Sequence, residues 1–181
     1  MTEEFEVLKQ VCQDLERAEF PYMITGSTAA NFYAVPRMTR DIDIVIEIKR
    51  NDVERFLGIF KDKFYMDRDM VLEAIEKEHM FNVVHNELVI KVDFIVRKDS
   101  PYRAMEFQRR RHVRMSGVSL WVVAPEDLIL SKLFWAKDSQ SEMQLKDVAN
   151  LLHTLKDLDR AYLEKWAGSL GVQGMYDKAK K

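Results

Sequence analysis

Asp41 and Asp43 stand one residue apart in the run Asp41-Ile42-Asp43-Ile44-Val45, thirteen residues after the pair Gly26-Ser27. Strand residues two apart point to the same face, so the two carboxylates lie side by side. Like charges repel, and burying either one unpaired is costly. A divalent cation held by oxygen ligands, Mg²⁺ or Mn²⁺, answers that need. Two edge-strand aspartates in solvent, or an Asx turn, would be the plain alternative, but aspartate is disfavoured in strands and here two of them interrupt a β-branched run. A Gly-Ser turn that opens a helix offers backbone N–H groups and a positive dipole end to a phosphate. Ser27 as a simple helix cap exposes the same N–H groups. A metal site beside a phosphate site points to nucleotide chemistry.

Two further charged groups sit where charge is unexpected. Asp93, in Lys91-Val92-Asp93-Phe94-Ile95, completes the metal site if its strand neighbours that of Asp41, and is otherwise an exposed strand residue. Lys132 lies in Leu128-Ile129-Leu130-Ser131-Lys132-Leu133-Phe134-Trp135-Ala136, a helix apolar nearly all round. Burying it requires an anion, so it either snorkels to the surface or aims its ammonium at a nucleotide phosphate. Asp147 lies at the edge of the buried stripe of the next helix, and spacing alone gives it an ordinary salt bridge.

The elements that must position these groups follow from periodicity. Helical spacing covers Phe5, Leu8, Val11, Cys12, Leu15 and Ala18, and 22–24 reads as a short strand entering the Gly26-Ser27 turn. A helix is expected over 28–35, closed by Pro36, and a strand over 42–48. Asn51-Asp52 caps a helix to about 62, and 69–78 is another. Strands at 80–84 and 88–96 form a hairpin through 85–87, 102–108 is helical, and 113–115 and 118–123 flank the two-residue turn Ser116-Gly117. Helices then run over 125–137, 142–155 and 159–167. Gly168, Gly171 and Gly174 punctuate the end, and 178–181 reads as a disordered tail. The expectation is an α/β (α+β) chain: a mixed sheet flanked by helices over 1–124, with a helical annex over 125–181 packed on it as one compact unit.

Apolar residues make up 47% of the 181 and charged ones 32%, the balance of an ordinary soluble domain. The lone Cys12 cannot pair within the chain, the start is acidic, and no apolar run is long enough to span a membrane, which together fit a cytoplasmic protein. The net charge of −2 excludes a global basic field for nucleic acid. His79, His85, His112 and His153 show no ligand spacing, and Trp121, Trp135 and Trp166 read as core. Arg109, Arg110, Arg111 and Arg114, with Arg103 and Lys98, are the densest basic cluster, either a solvated face or a contact for phosphates.

The pattern Gly-Ser, thirteen residues, Asp-Ile-Asp resembles the signature of the DNA polymerase β-like nucleotidyltransferase superfamily. The form Arg37-Met38-Thr39-Arg40-Asp41-Ile42-Asp43 is similar to the AbiEii-type toxins and small prokaryotic nucleotidyltransferases, including lincosamide-type antibiotic nucleotidyltransferases. Pro125-Glu126-Asp127-Leu128 through Lys132, then Leu145-Lys146-Asp147-Val148, is similar to the later motifs of that group, so the likeness spans 24–152. It implies a nucleotidyltransferase fold and transfer of a nucleoside monophosphate from an NTP to an acceptor, with release of pyrophosphate. Asp41, Asp43 and Asp93 would hold the metal. Gly26, Ser27, Arg40 and Lys132 would bind the nucleotide, and Lys132 and Asp147 would serve at the reacting centre with Asp41 and Asp43. A tRNA acceptor, a small-molecule acceptor and a cognate antitoxin partner all follow from the likeness, and a non-catalytic NTP- or RNA-binding module on the same fold is the rival.

Overall fold

The computed structural model describes residues 2–39, 41–139 and 141–180. Its elements are α1 (Glu3–Arg17), β1 (Tyr22–Thr25), α2 (Gly26–Tyr33), β2 (Ile42–Ile46), a 3₁₀ turn (Arg50–Asp52), α3 (Val53–Phe60), β3 (Phe64–Tyr65), α4 (Arg68–Glu76), β4 (Met80–His85), β5 (Lys91–Val96), α5 (Pro101–Gln108), β6 (Arg111–Met115), β7 (Val118–Val122), α6 (Pro125–Ser139), α7 (Glu142–Thr154), α8 (Arg160–Ser169) and α9 (Gln173–Ala179). The strands form one mixed sheet in the order β3-β4-β5-β2-β1-β7-β6. The architecture is mixed α/β, as the alternation of periods in the sequence requires.

Alternation decides what each face of the sheet carries. Phe94 of β5 and Phe81 of β4 stack on each other, and Phe56 of α3 meets both edge-on. That face is a fully apolar core closed by α3. The opposite face presents Thr25, Asp43, Val45, Asp93 and Ile95, and there α5 and α6 leave room beside the sheet. The face on which β2 and β5 place carboxylates instead of apolar side chains is therefore the candidate site face. No helix among the described residues is long and apolar enough to cross a membrane.

Several boundaries differ from the sequence reading for physical reasons. α2 begins at Gly26, earlier than the expected 28, because Gly26 takes φ +64° and turns the chain straight from β1 into the helix. It stops at Tyr33 because Ala34 takes an extended backbone, ahead of a proline that disfavours helix in the residue before it. The β4–β5 connection is longer than expected: His85 ends β4, and its Nδ1 accepts from the backbone N–H groups of Glu87 and Leu88. The tight turn at Ser116-Gly117 forms as expected, with φ of +47° and +84°. β3 and α9 were not anticipated. α9 continues through Ala179 and takes up Lys178 of the expected disordered tail, with Tyr176 buried beneath it, while Lys181 lies outside the described residues.

Candidate active site

Strand register builds the first half of the site. β1 is antiparallel to β2 with Thr25 opposite Asp43, and β2 is parallel to β5 with Asp43 opposite Asp93. The two carboxylates are thus cross-strand neighbours on one face, Asp93 buried and Asp43 half-buried. Gly26 follows Thr25 directly, and a Cβ there would overlap the Asp43 carboxylate, only 2.7 Å from its Cγ. Glycine is demanded twice, by the close approach and by the positive φ. Burial, then the charges of Asp93 and Asp41, push the Asp43 carboxyl up to about 6, against the pull of Lys132 and Lys91.

The second half comes from α6 and α7. Lys132 is 3% exposed, and its Nζ donates to Asp147 Oδ2 at 2.8 Å and Gln144 Oε1 at 2.9 Å. Burial lowers the ammonium's pKa and the Asp147 carboxylate opposes that. Asp147 also receives a bidentate pair from Arg37, Nε to Oδ1 at 3.0 Å and Nη2 to Oδ2 at 3.1 Å. Its own burial raises its carboxyl, but the hydrogen bonds from Arg37 and Lys132 outweigh this and hold it below the ordinary value. Arg37 Nη2 donates as well to Ser27 Oγ at 2.5 Å. The backbone of Arg37 is fixed by Asn31 of α2, whose side chain donates to its carbonyl at 2.7 Å and accepts from its N–H at 2.9 Å.

Gly26, Asp43, Asp93 and Lys132 line one cleft of about 220 Å³, with Leu128, Ser131, Trp135 and Gln144 around them. A neighbouring hollow of about 270 Å³ shares Thr25, Ile95, Ser131 and Trp135 with it and runs on toward Lys98 and Arg103. Ser27 and Asp147 join the cleft through Arg37 and Lys132. Asp41 is exposed and borders a separate cavity of about 480 Å³ lined by Phe5, Leu8, Phe32, Met38 and Met115. Arg40, expected to bind nucleotide, lies outside the described residues. The carboxylates offer oxygen donors alone, and no His or Cys lines the cleft, which suits a hard cation such as Mg²⁺ or Mn²⁺. Among the described residues no three acidic, His or Cys side chains already stand at metal-holding spacing. Asp43 and Asp93 could hold such an ion; Asp41, expected beside Asp43 on the strand, instead lies one residue before β2 and lines the other cavity, so it would have to be drawn in by the ion.

Residues 1–167 match the family described as nucleotidyltransferase of unknown function, DUF6036. The chain belongs to that family. No curated protein matches it in sequence. Solved structures share the fold at low identity. An antigenic nucleotidyltransferase-like protein from Paracoccidioides brasiliensis superposes with a TM-score of 0.63 at 15% identity, covering 98% of this chain and 92% of that one. ANT(2")-Ia, solved in complex with adenylyl-2"-tobramycin, gives 0.64 at 13% identity over 94% of this chain and 98% of its own. The lincosamide antibiotic adenylyltransferase LnuA, solved with lincomycin bound, gives 0.56 at 13% identity over 86% and 98%.

In this member of the nucleotidyltransferase family most of the basic cluster of the sequence is engaged in contacts within the fold, although Arg111 stays half exposed. Arg109 pairs with Asp127 at 2.9 Å and Glu126 at 3.2 Å, both buried acids at the start of α6, and Tyr162 donates to Asp127 at 2.6 Å. Arg111 reaches Glu126, Arg103 holds Glu106 and Ser131, and Arg110 lies over the rings of Phe107 and Trp121. Trp135, expected in the core, is 53% exposed and lines the cleft one turn beyond Lys132. Arg37, Gln144 and Trp135 are the site residues that sequence reading missed. The apolar register of the helix at 125–137 hid Trp135, because a helix buried nearly all round gives no sign of which side opens onto a cleft.

Proposed function

We propose that this chain transfers a nucleoside monophosphate from a metal-bound NTP to a hydroxyl of a small acceptor, releasing pyrophosphate. The observation that carries the reading is the facing of Asp43 and Asp93, in register across β2 and β5, by a buried Lys132 on the other wall of the cleft. Asp43 and Asp93, with Asp41, would hold the divalent cation, which when bound screens the triphosphate's charge. The backbone N–H groups after Gly26 and the Ser27 hydroxyl would receive the terminal phosphates. Arg37 already donates to Ser27 Oγ, which leaves the hydroxyl proton for a phosphate oxygen. Lys132 and Arg37 would offset charge on the departing pyrophosphate. Asp147, with both oxygens engaged and its carboxyl held low, orients these two cations and does not serve as a base. Trp135, exposed on the wall of the cleft, would stack on the nucleobase.

The cavity beside Asp41 is our choice for the acceptor, because its volume of about 480 Å³ and its mixed lining, Phe5, Leu8 and Phe32 beside Thr28, Asn31 and Arg37, suit a small amphiphilic molecule. The neighbours ANT(2")-Ia and LnuA, whose structures hold adenylyl-2"-tobramycin and lincomycin, are consistent with that class. The alternative of a tRNA-modifying AbiEii-type toxin with an antitoxin partner follows from the motif likeness, with the arginine cluster as a candidate phosphate contact, and the pairing of Arg109 and Arg111 with buried acids weighs against that contact. The test is incubation of the purified protein with each α-labelled NTP and Mg²⁺, separately with a small-molecule library and with total RNA. Label on a small molecule that disappears in Asp43→Asn is the expected result. Label on RNA would restore the tRNA reading, and wild-type turnover by Asp43→Asn would overturn the assignment of the carboxylates.

A further inference from the structure

Four charged residues stand around the site face of β2 and β5: Asp43, Asp93 and Lys91 on the strands, and Asp41 on the residue just before β2. The paired register puts Ile42 opposite Val92 and Asp43 opposite Asp93, and Asp41 and Lys91 are the next residues toward that end of the two strands. Three are carboxylates and the fourth is an ammonium. Lys91 Nζ bonds Asp93 Oδ2 at 2.8 Å, with Asp93 9% and Lys91 46% exposed at the side chain. The ammonium sits within the field of Asp41 and Asp43 as well as Asp93, and it is the exposed one of the two lysines near the carboxylates. Lys132, the other, is buried and tied to Asp147 and Gln144.

We infer that Lys91 is a built-in counter-cation of the carboxylate set, occupying through its bond to Asp93 the charge position a divalent ion would take. The inference rests on the reading of Asp41, Asp43 and Asp93 as metal ligands. A bare cation must displace the ammonium from Asp93 and pays the loss of a close ion pair. A cation arriving on a triphosphate brings extra ligand oxygens and the contacts of Gly26, Ser27 and Lys132, so it displaces Lys91 with the help of that added binding. The consequence is coupling: the site takes metal weakly alone and well with nucleotide, and Lys91 sets the difference. Lys91 is in these terms a positioning residue, acting on metal occupancy through Asp93.

The test is Mn²⁺ titration without nucleotide, followed by electron paramagnetic resonance of the free ion, for wild type, Lys91→Met, Lys91→Arg and each combined with Asp43→Asn. Lys91→Met keeps the apolar stem and removes the charge, and the expected result is Mn²⁺ binding about tenfold tighter than wild type. Lys91→Arg should stay within about threefold, since it keeps the cation. In chelator the Lys91→Met protein should melt lower than wild type, and saturating Mn²⁺ should erase the gap. Equal or weaker Mn²⁺ affinity in a folded Lys91→Met, with binding still lost on Asp43→Asn, overturns the role of Lys91 and leaves the metal site standing. Absence of Mn²⁺ binding in wild type and Lys91→Met alike overturns both.

Discussion

At Asp43 three unfavourable terms meet: partial burial, the Asp93 carboxylate directly across the strand pair, and Asp41 two residues earlier, with Gly26 stripped of a side chain so that the group fits at all. The carboxyl sits near 6 in the folded chain against an ordinary value of 3.8. A raised value means the folded state binds the proton more tightly than the unfolded one. The group therefore costs nothing below about pH 4, and its cost grows as pH rises through about 6, on the order of 1–3 kcal/mol in the absence of divalent cation. Asp43→Asn removes that charge while keeping the shape. In chelator at pH 7.5 it should melt a few degrees above wild type, and at pH 4 the two should coincide, whereas turnover should fall to background at every pH. Melting curves across that pH range check the first part, and a pyrophosphate-release assay the second. A variant less stable than wild type at pH 7.5 would show that the Asp43 charge is already well compensated without metal.

Between the elements, the decisive connection is the loop from α2 to β2. Asn31 pins the Arg37 backbone, Asn150 of α7 holds the Val35 carbonyl at 3.1 Å, and the Arg37 guanidinium bridges Ser27 and Asp147, a partner 110 residues away. That long-range contact explains what sequence could and could not deliver. The strand that carries Asp43, the turn at Gly26 and the buried lysine were legible because each breaks a local pattern: charge in a β-branched run, glycine before a helix, a cation in an apolar helix. Strand order was not legible, so the placing of Asp93 opposite Asp43 had to await the sheet. Arg37 broke no pattern, since an arginine in a polar loop is unremarked until its partner is known. Arg37→Lys keeps one positive charge but loses the planar fork. It should raise KM for NTP about tenfold with a melting temperature near wild type. A double-mutant cycle with Asp147→Asn should return a coupling of about 1–3 kcal/mol in kcat/KM. Strict additivity would place the two residues in independent roles.

For the whole molecule the question is what field it presents to an acceptor. A net charge of −2 leaves recognition of a polyanion to local patches, and the densest basic patch is committed to α6. Asp127 is fully buried and Glu126 nearly so, and their charges are supported by Arg109, Tyr162, Arg111 and the backbone N–H of Asp159. Removing one partner of a buried pair leaves the other uncompensated, so Arg109→Ala should cost about 3–5 kcal/mol of stability, read by urea unfolding. A phosphate-contacting arginine would give the opposite signature: a nearly unchanged fold and weakened binding of nucleic acid. Salt separates the same two cases. An acceptor held by several phosphate contacts loses about 10³–10⁵ in affinity between 50 and 200 mM salt. A small acceptor held in the cavity beside Asp41 brings no run of phosphates and so no such ions to release, and its KM should change by less than about threefold over that range, at saturating NTP. A steep fall would mean that a basic surface outside the paired arginines, with Arg114 and Lys98 as its exposed members, carries a polyanionic acceptor after all.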